Sequence, residues 1–180
     1  MSIKTFLLQQ FETEHQVFLM ALQEIPEERF SLRSPCGGHS AAWIALHILD
    51  WTRLYLPEEQ GGGPKAKYAY LGWENEPWTQ ALQGETAVNE ASPQGLVLTA
   101  LEAALAQSRE GYSRLPEQAF APEYRMQTPF GERALSDLLA RQLRHIAYHR
   151  GQVVLLQRQW EGTPSSPQPA EHPKNSAGPR

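Results

Sequence analysis

The sequence predicts an all-α fold, a four-helix bundle with long irregular connections. Three observations carry this. Four long stretches repeat apolar residues at helical spacing. Their ends coincide with serine caps and with prolines. Two long connections join the four stretches, the pattern of a bundle.

The first helix is expected from about Ser2 to Glu24. Leu8, Phe11, His15, Phe18, Leu22 and Ile25 form one stripe, Ser2 is the N-cap, and Pro26 lies past the end. Residues 27–38 connect it to the second helix and finish in Ser-Pro-Cys-Gly-Gly, a strong turn signal. The second helix runs from about Ser40 to Leu56 and stops at Pro57. Taking Trp43 as the origin, His47, Asp50 and Leu54 point within about 40° of it, so this stripe faces the core. Residues 57–92 contain Gly61-Gly62-Gly63-Pro64 and then Tyr68, Tyr70, Trp73 and Trp78. Four aromatics carry too much burial energy for a disordered stretch. An ordered excursion is expected, with a short helix near residues 78–90, covering something. If the site opens there, the segment is a wall or lid, with Trp73 and Trp78 as candidate substrate contacts or packing groups.

The third helix starts near Ser92, with Pro93 in its first turn, and runs to about Leu115. Residues 116–133 are a second irregular connection, closing in Gln-Thr-Pro-Phe-Gly-Glu-Arg as a short extended turn. The fourth helix runs from about Ala134 to Trp160, with Leu135, Leu139, Leu143, Ile146, His149 and Val153 on or near one face. The domain is therefore residues 1–160. Residues 161–180 hold five prolines and little apolar content, and are expected to be a disordered tail.

Composition narrows the class. The chain has 180 residues, 41% hydrophobic and 20% charged, with a net charge of −4 and a pI near 5.9. That balance gives no electrostatic footprint for nucleic acid. No apolar run is long enough to span a bilayer, and the N-terminus lacks the apolar core of a signal peptide. A single cysteine, Cys36, allows no intrachain disulfide and fits a reducing compartment, so a cytoplasmic protein is expected. Cys36 sits in a turn three residues from His39, with nothing else there to support catalysis. The three glycines at 61–63 are not followed by the lysine of a phosphate loop. Zincin, serine-triad and dinucleotide motifs are absent.

The chemistry is concentrated in Arg141-Gln-Leu-Arg144-His145-Ile-Ala-Tyr148-His149-Arg150-Gly-Gln152. Residues four apart on a helix lie one above the other, so His145 and His149 can grip one divalent ion from the same face. Two inward imidazoles without a task cost desolvation, and a shared metal resolves that cost. His47 adds a third on another core-facing stripe. Three neutral imidazoles that leave a position open make a reactive site rather than a closed structural one. An i,i+4 histidine pair on a helix face is more commonly two solvated residues, and for His47 alone a core histidine bonded to a nearby oxygen is the commoner case.

The neighbours allow several roles. His15 lies in a core stripe and is a fourth ligand, a partner to a ligand, or a core histidine, the last two favoured. Asp50, one turn after His47, orients an imidazole, binds a substrate cation, ligates, or pairs with Arg53. Arg144 and Arg150 flank the pair and can recognise a carboxylate, though solvated helix arginines are commoner. Tyr148 can donate a proton near the site or simply pack. Gln152 can hydrogen-bond a ligand imidazole. Gly151 costs roughly 1 kcal/mol within a helix and so marks a close approach. His39 reads as a loop residue and His172 lies in the tail.

His145-Ile-Ala-Tyr-His149-Arg-Gly-Gln152 resembles the H-x-x-x-H-R-G-Q signature of the DinB-like superfamily, which includes YfiT-type proteins. His47 in Trp-Ile-Ala-Leu-His-Ile-Leu-Asp matches that family's second-helix histidine. Thr128-Pro-Phe-Gly131 resembles its lead into the last helix. The resemblance covers roughly residues 1–160 and is weakest over 57–92. It implies an up-down-down-up bundle and one divalent metal on His47, His145 and His149. Zinc or nickel are the first candidates, iron or manganese the next. It also implies a metal-dependent transferase that activates a low-molecular-weight thiol, of the bacillithiol, mycothiol or glutathione type, against small electrophiles. That is a stress or detoxification role. A metal-dependent hydrolase and a non-catalytic metal-binding protein are the alternatives. The expected partners are a small-molecule substrate and a second copy of the chain as a homodimer, with neither nucleic acid nor membrane.

Overall fold

The structure is a computed structural model that describes residues 1–34, 37–56, 62–128 and 131–161. Cys36, Pro57, His172 and the expected tail beyond Glu161 lie outside the described residues. Among the described residues, six helices and one hairpin follow in order: α1 (Ile3–Gln23), α2 (Glu27–Phe30), α3 (Ala41–Leu54), α4 (Pro77–Leu82), α5 (Gln94–Arg114), a 3-10 turn (Glu117–Phe120), β1 (Arg125–Thr128), β2 (Gly131–Ala134) and α6 (Leu135–Glu161). The four long helices α1, α3, α5 and α6 form an all-α bundle, as the sequence predicts.

Local chemistry starts the helices. The Ser2 hydroxyl accepts from the Thr5 N–H, and the Ser40 hydroxyl accepts from the Trp43 N–H, each capping a donor that its helix leaves unpaired. The third long helix begins at Gln94, slightly later than expected, because Pro93 keeps an extended ψ of 141° and serves as the cap itself.

Side-chain ties between the helices give their directions. Glu14 holds Arg150, and Ala21 accepts from Gln157, so α1 and α6 run parallel. Lys4 reaches the carbonyls of Ser113 and Leu115, while Gln94 reaches those of Leu22 and Ile25, so α5 opposes α1. Ser34 meets Gln159 and His47 meets His145, so α3 opposes α6. Taken from α1, the sense is up, down, down, up.

The main core joins Phe18 and Leu22 of α1, Ile44 and Ile48 of α3, Leu101 of α5 and Ile146 and Val153 of α6. A second cluster closes the opposite end around Phe11, Tyr112, Phe120, Leu135 and Leu139. Each such side chain contributes about 1.5–3 kcal/mol when removed from water. A third cluster, Leu54, Tyr68, Leu71 and Leu82, pins the excursion onto α3. Over residues 62–92 the segment packs as expected, but its helix is only Pro77–Leu82. The extended turn before the last helix is a two-stranded hairpin, with Arg125 paired to Ala134 and Thr128 to Gly131. Gly131 takes φ +87° there, a conformation that favours glycine.

Candidate metal centre

His47, His145 and His149 come together on facing surfaces of α3 and α6. The Nε2 atoms of His47 and His145 are 3.0 Å apart, and those of His149 and His145 are 3.1 Å apart. One ligand atom from each of the three lies within 4.8 Å of the others. His47 and His149 are buried, and His145 is half-buried.

Hydrogen bonds at the far side of two rings set their tautomers. His47 Nδ1 lies 2.5 Å from the Tyr70 carbonyl oxygen, and His149 Nδ1 lies 2.7 Å from Gln152 Oε1. Each oxygen can only accept, so each Nδ1 carries the proton and donates. Both Nε2 atoms then present lone pairs inward, against the third Nε2. Burial pushes His47 down to about 3, assisted by His149 and His145 and opposed by the Tyr70 bond. It pushes His145 down to about 4, with His149 adding to the effect. It lowers His149 too, opposed by the bond that His149 donates to Gln152 and assisted by His39. The cluster is therefore neutral near pH 7, which is the state a metal requires.

A divalent ion fits this arrangement. His145 Nε2 can bridge the other two as an N–H donor, or all three can turn lone pairs onto one cation. Nitrogens bound at about 2.0–2.1 Å to one ion stand roughly 3.0–3.4 Å apart for ordinary bond angles, and the two spacings of 3.0 and 3.1 Å match.

Asp50 is 1% exposed and acts one step behind the cluster. Its Oδ2 accepts from the Ala69 and Tyr70 N–H groups, both at 2.8 Å, and Oδ1 pairs with Arg53 at 3.4 Å. Burial raises its pKa, against those two backbone bonds and Arg53. By holding residues 69–70 against α3, Asp50 places the carbonyl that grips His47. Of the roles open to it, orientation and the Arg53 pair are the two the contacts support. Gln152 spans two residues, accepting from His149 and donating from Nε2 to the Tyr148 hydroxyl at 3.1 Å.

The cluster opens into a cavity of about 740 Å³. One wall is a ladder on α3 and its flanks at four-residue spacing: His39, Trp43, His47, Trp51 and Tyr55. His39 stacks on Trp43 at 3.4 Å between ring centroids, and Trp43 on His47 at 4.7 Å. His39, read from sequence as a loop residue, thus belongs to the cavity. The facing wall comes from α6 (Arg141, Gln142, His145, Tyr148, His149), with Arg133 from β2. The excursion supplies Leu71, Gly72, Trp73 and Glu74. A Cβ at Gly72, whose φ is +71°, would stand 3.7 Å from His47 Cε1. Trp73 holds φ 53°, a strained value for a large residue. Its carbonyl is fixed there by Thr79 Oγ1 at 2.5 Å and the Glu76 N–H at 2.9 Å.

Other candidates sit elsewhere. His15 is buried against Phe11, with its Nε2 unpaired among the described residues, and is a core histidine. Arg144 is exposed and does not line the cavity, because it sits one residue from His145 and hence about 100° around the helix. Arg150 is spent on Glu14 at 2.6 Å. Trp78 contacts Trp51 and Trp73 but is not a lining residue. Gly151 marks no close approach: a Cβ there would meet nothing within 4 Å. The sequence reading missed Arg133, Arg141, Trp51 and Tyr55. The four-residue spacing from His39 to Tyr55 was the signal available for the last two.

Fold and cluster together define a helical bundle built around a three-histidine cavity able to hold one divalent ion. The chain belongs to the DinB superfamily, whose family profile it matches over residues 10–153. No curated protein and no solved structure matched it. None of the helices among the described residues is long and apolar enough to cross a membrane.

Proposed function

We propose that this protein is a metal-dependent transferase that uses a low-molecular-weight thiol against small electrophiles, in a detoxification or stress role in the cytoplasm. The observation that carries the proposal is the set of Nε2 lone pairs turned into a 740 Å³ cavity by the Tyr70 carbonyl and the Gln152 amide. A divalent ion on His47, His145 and His149 would supply a Lewis acid that keeps a bound thiol ionised near neutral pH. Zinc and nickel lead the candidates, since imidazole suits both and affinity order alone names neither.

The protein's own groups would do the rest. His47 and His149 stay neutral and aimed because their Nδ1 protons are held. Trp51 and Leu71 give the sulfur an apolar wall away from the mouth, which favours transfer over hydrolysis. The thiol gives its proton to solvent through the open mouth. Its sulfur then forms a bond to the electrophilic carbon as the leaving group departs with the former bonding pair.

The test gives metal-loaded protein a panel of low-molecular-weight thiols with monochlorobimane. Conjugation that needs both metal and thiol is expected. Hydrolysis of esters or amides without thiol would replace this reading with a hydrolase. Tight metal binding with neither activity would reduce the protein to a metal-binding module.

A further inference from the structure

The cavity is electrically lopsided. Glu74 lines the end marked by His39 and Trp43; Arg33, Glu90 and Glu74 all act on the charge of His39, and of these three Glu74 is the one that lines the cavity. At the other end stand Tyr55, Arg133, Arg141 and Gln142. Arg141 and Tyr55 both line this end, near enough for the guanidinium to act on the charge of the Tyr55 hydroxyl. It is four residues before His145, on the same stripe of α6, and so about 6 Å along the axis from it. Arg133 arrives independently from β2, just ahead of α6.

The charged groups at this end are two guanidiniums, which can only donate. Arg133 Nη1 donates to the Glu132 carbonyl at 2.8 Å. Neither Arg133 nor Arg141 has a carboxylate partner among the described residues, whereas Arg53, Arg109, Arg114 and Arg150 each have one. Gln142 is 8% exposed, and its Nε2 is a buried donor with no hydrogen-bond partner among the described residues. Its Oε1 faces the Tyr112 hydroxyl at 3.5 Å, so the amide leaves its NH₂ side unpaired. A buried orphan donor is costly. That donor is shielded from the cavity space; it is the two guanidiniums at the same end of the cavity that describe a place for an acceptor bearing negative charge.

We propose that the molecule seated at the histidine cluster is anionic, with a carboxylate-type group held by Arg141 and Arg133 roughly one to two helix turns from the histidines. An apolar or aromatic body then lies along Trp51 and Tyr55, and Glu74 at the far end repels the reverse orientation. This deepens the proposed function and takes from it only that a ligand enters this cavity. Both the thiol and the electrophile can carry such a group.

Two probe series separate those sources, read by calorimetry or tryptophan fluorescence without turnover. The first compares 3-phenylpropionate with 3-phenylpropanamide, on metal-loaded and metal-stripped protein. The second compares 3-mercaptopropionate with 2-mercaptoethanol on metal-loaded protein. The acid should bind about 10- to 100-fold tighter in at least one series, the range for hydrogen bonds to a charged group. That preference should collapse in the Arg133→Gln/Arg141→Gln double variant, whose replaced side chains are half-buried and exposed, so the fold persists by circular dichroism. An Arg-dependent preference in the first series assigns the anion to the electrophile, and in the second to the thiol. In the first series it should survive metal removal. Equal or undetectable binding of acid and neutral probes in both series overturns the proposal. So does a preference that the double variant keeps and metal removal abolishes, since the carboxylate would then sit on the metal. Failure of thiol conjugation with the anion preference intact would discard the transferase reading and leave this one standing.

Discussion

Removing the Asp50 carboxylate should loosen the fold and the metal centre together. The carboxylate accepts two backbone N–H bonds at 2.8 Å, from Ala69 and Tyr70, and pairs with Arg53. Bonds to a charged acceptor are worth about 1.5–3 kcal/mol each. Ala69 is exposed, so water replaces part of one bond, and truncation also relieves a buried charge. Arg53 is partly exposed and lies 5.2 Å from the Tyr68 ring centre, so it is not left stranded. The expected cost of Asp50→Ala is therefore roughly 2–4 kcal/mol in urea unfolding of the metal-free protein. Asp50→Asn keeps an acceptor without the charge and should cost about half of that. Because the Tyr70 carbonyl moves with residues 69–70, the alanine variant should also bind metal about 10- to 100-fold more weakly in competition with a chromophoric chelator. A variant within about 0.5 kcal/mol of the parent, with unchanged metal affinity, would refute the chain from Asp50 through Tyr70 to His47.

Three further outcomes are expected. Gln152→Ala should weaken metal binding about 10-fold or more without unfolding the protein, because His149 loses the partner that fixes its tautomer; unchanged affinity in the chelator assay would remove that role. His15 is held at about 3 by burial, with Arg109 adding to it, so below its unfolded value the unfolded chain takes up the proton first and stability falls with pH. Near pH 5 this amounts to about 2 kcal/mol, so His15→Leu should gain that much on the parent between pH 7.5 and pH 5, and parallel stability curves would contradict it. Self-association remains an expectation from the sequence; a sedimentation mass that stays near 20.3 kDa over a wide concentration range would remove it.

The helices and the triad were legible because their signals are local. Serine caps, prolines and apolar stripes set α1, α3, α5 and α6 to within a few residues, and the spacing of His145 and His149 fixes their common face. What holds the triad was not legible. The Tyr70 carbonyl reaches His47 across 23 residues of chain, and a backbone acceptor carries no sequence mark. Arg144 drew attention through its place beside His145, yet helical geometry puts Arg141, four residues before His145, on the cavity side. Gly151 suggested a close approach because glycine costs stability within a helix, and the open space beside it shows that this cost has no packing cause. The hairpin was hidden in a mixed polar run, Arg125 to Ala134, whose pairing depends on Gly131 rather than on alternating apolar residues.

The central claim is that His47, His145 and His149 hold one ion. Elemental analysis of the folded protein after metal loading and desalting tests it most directly. The account predicts about one divalent ion per chain, lost in His47→Ala, His145→Ala and His149→Ala but kept in His39→Ala and His172→Ala. Full occupancy in the His149→Ala protein would contradict it.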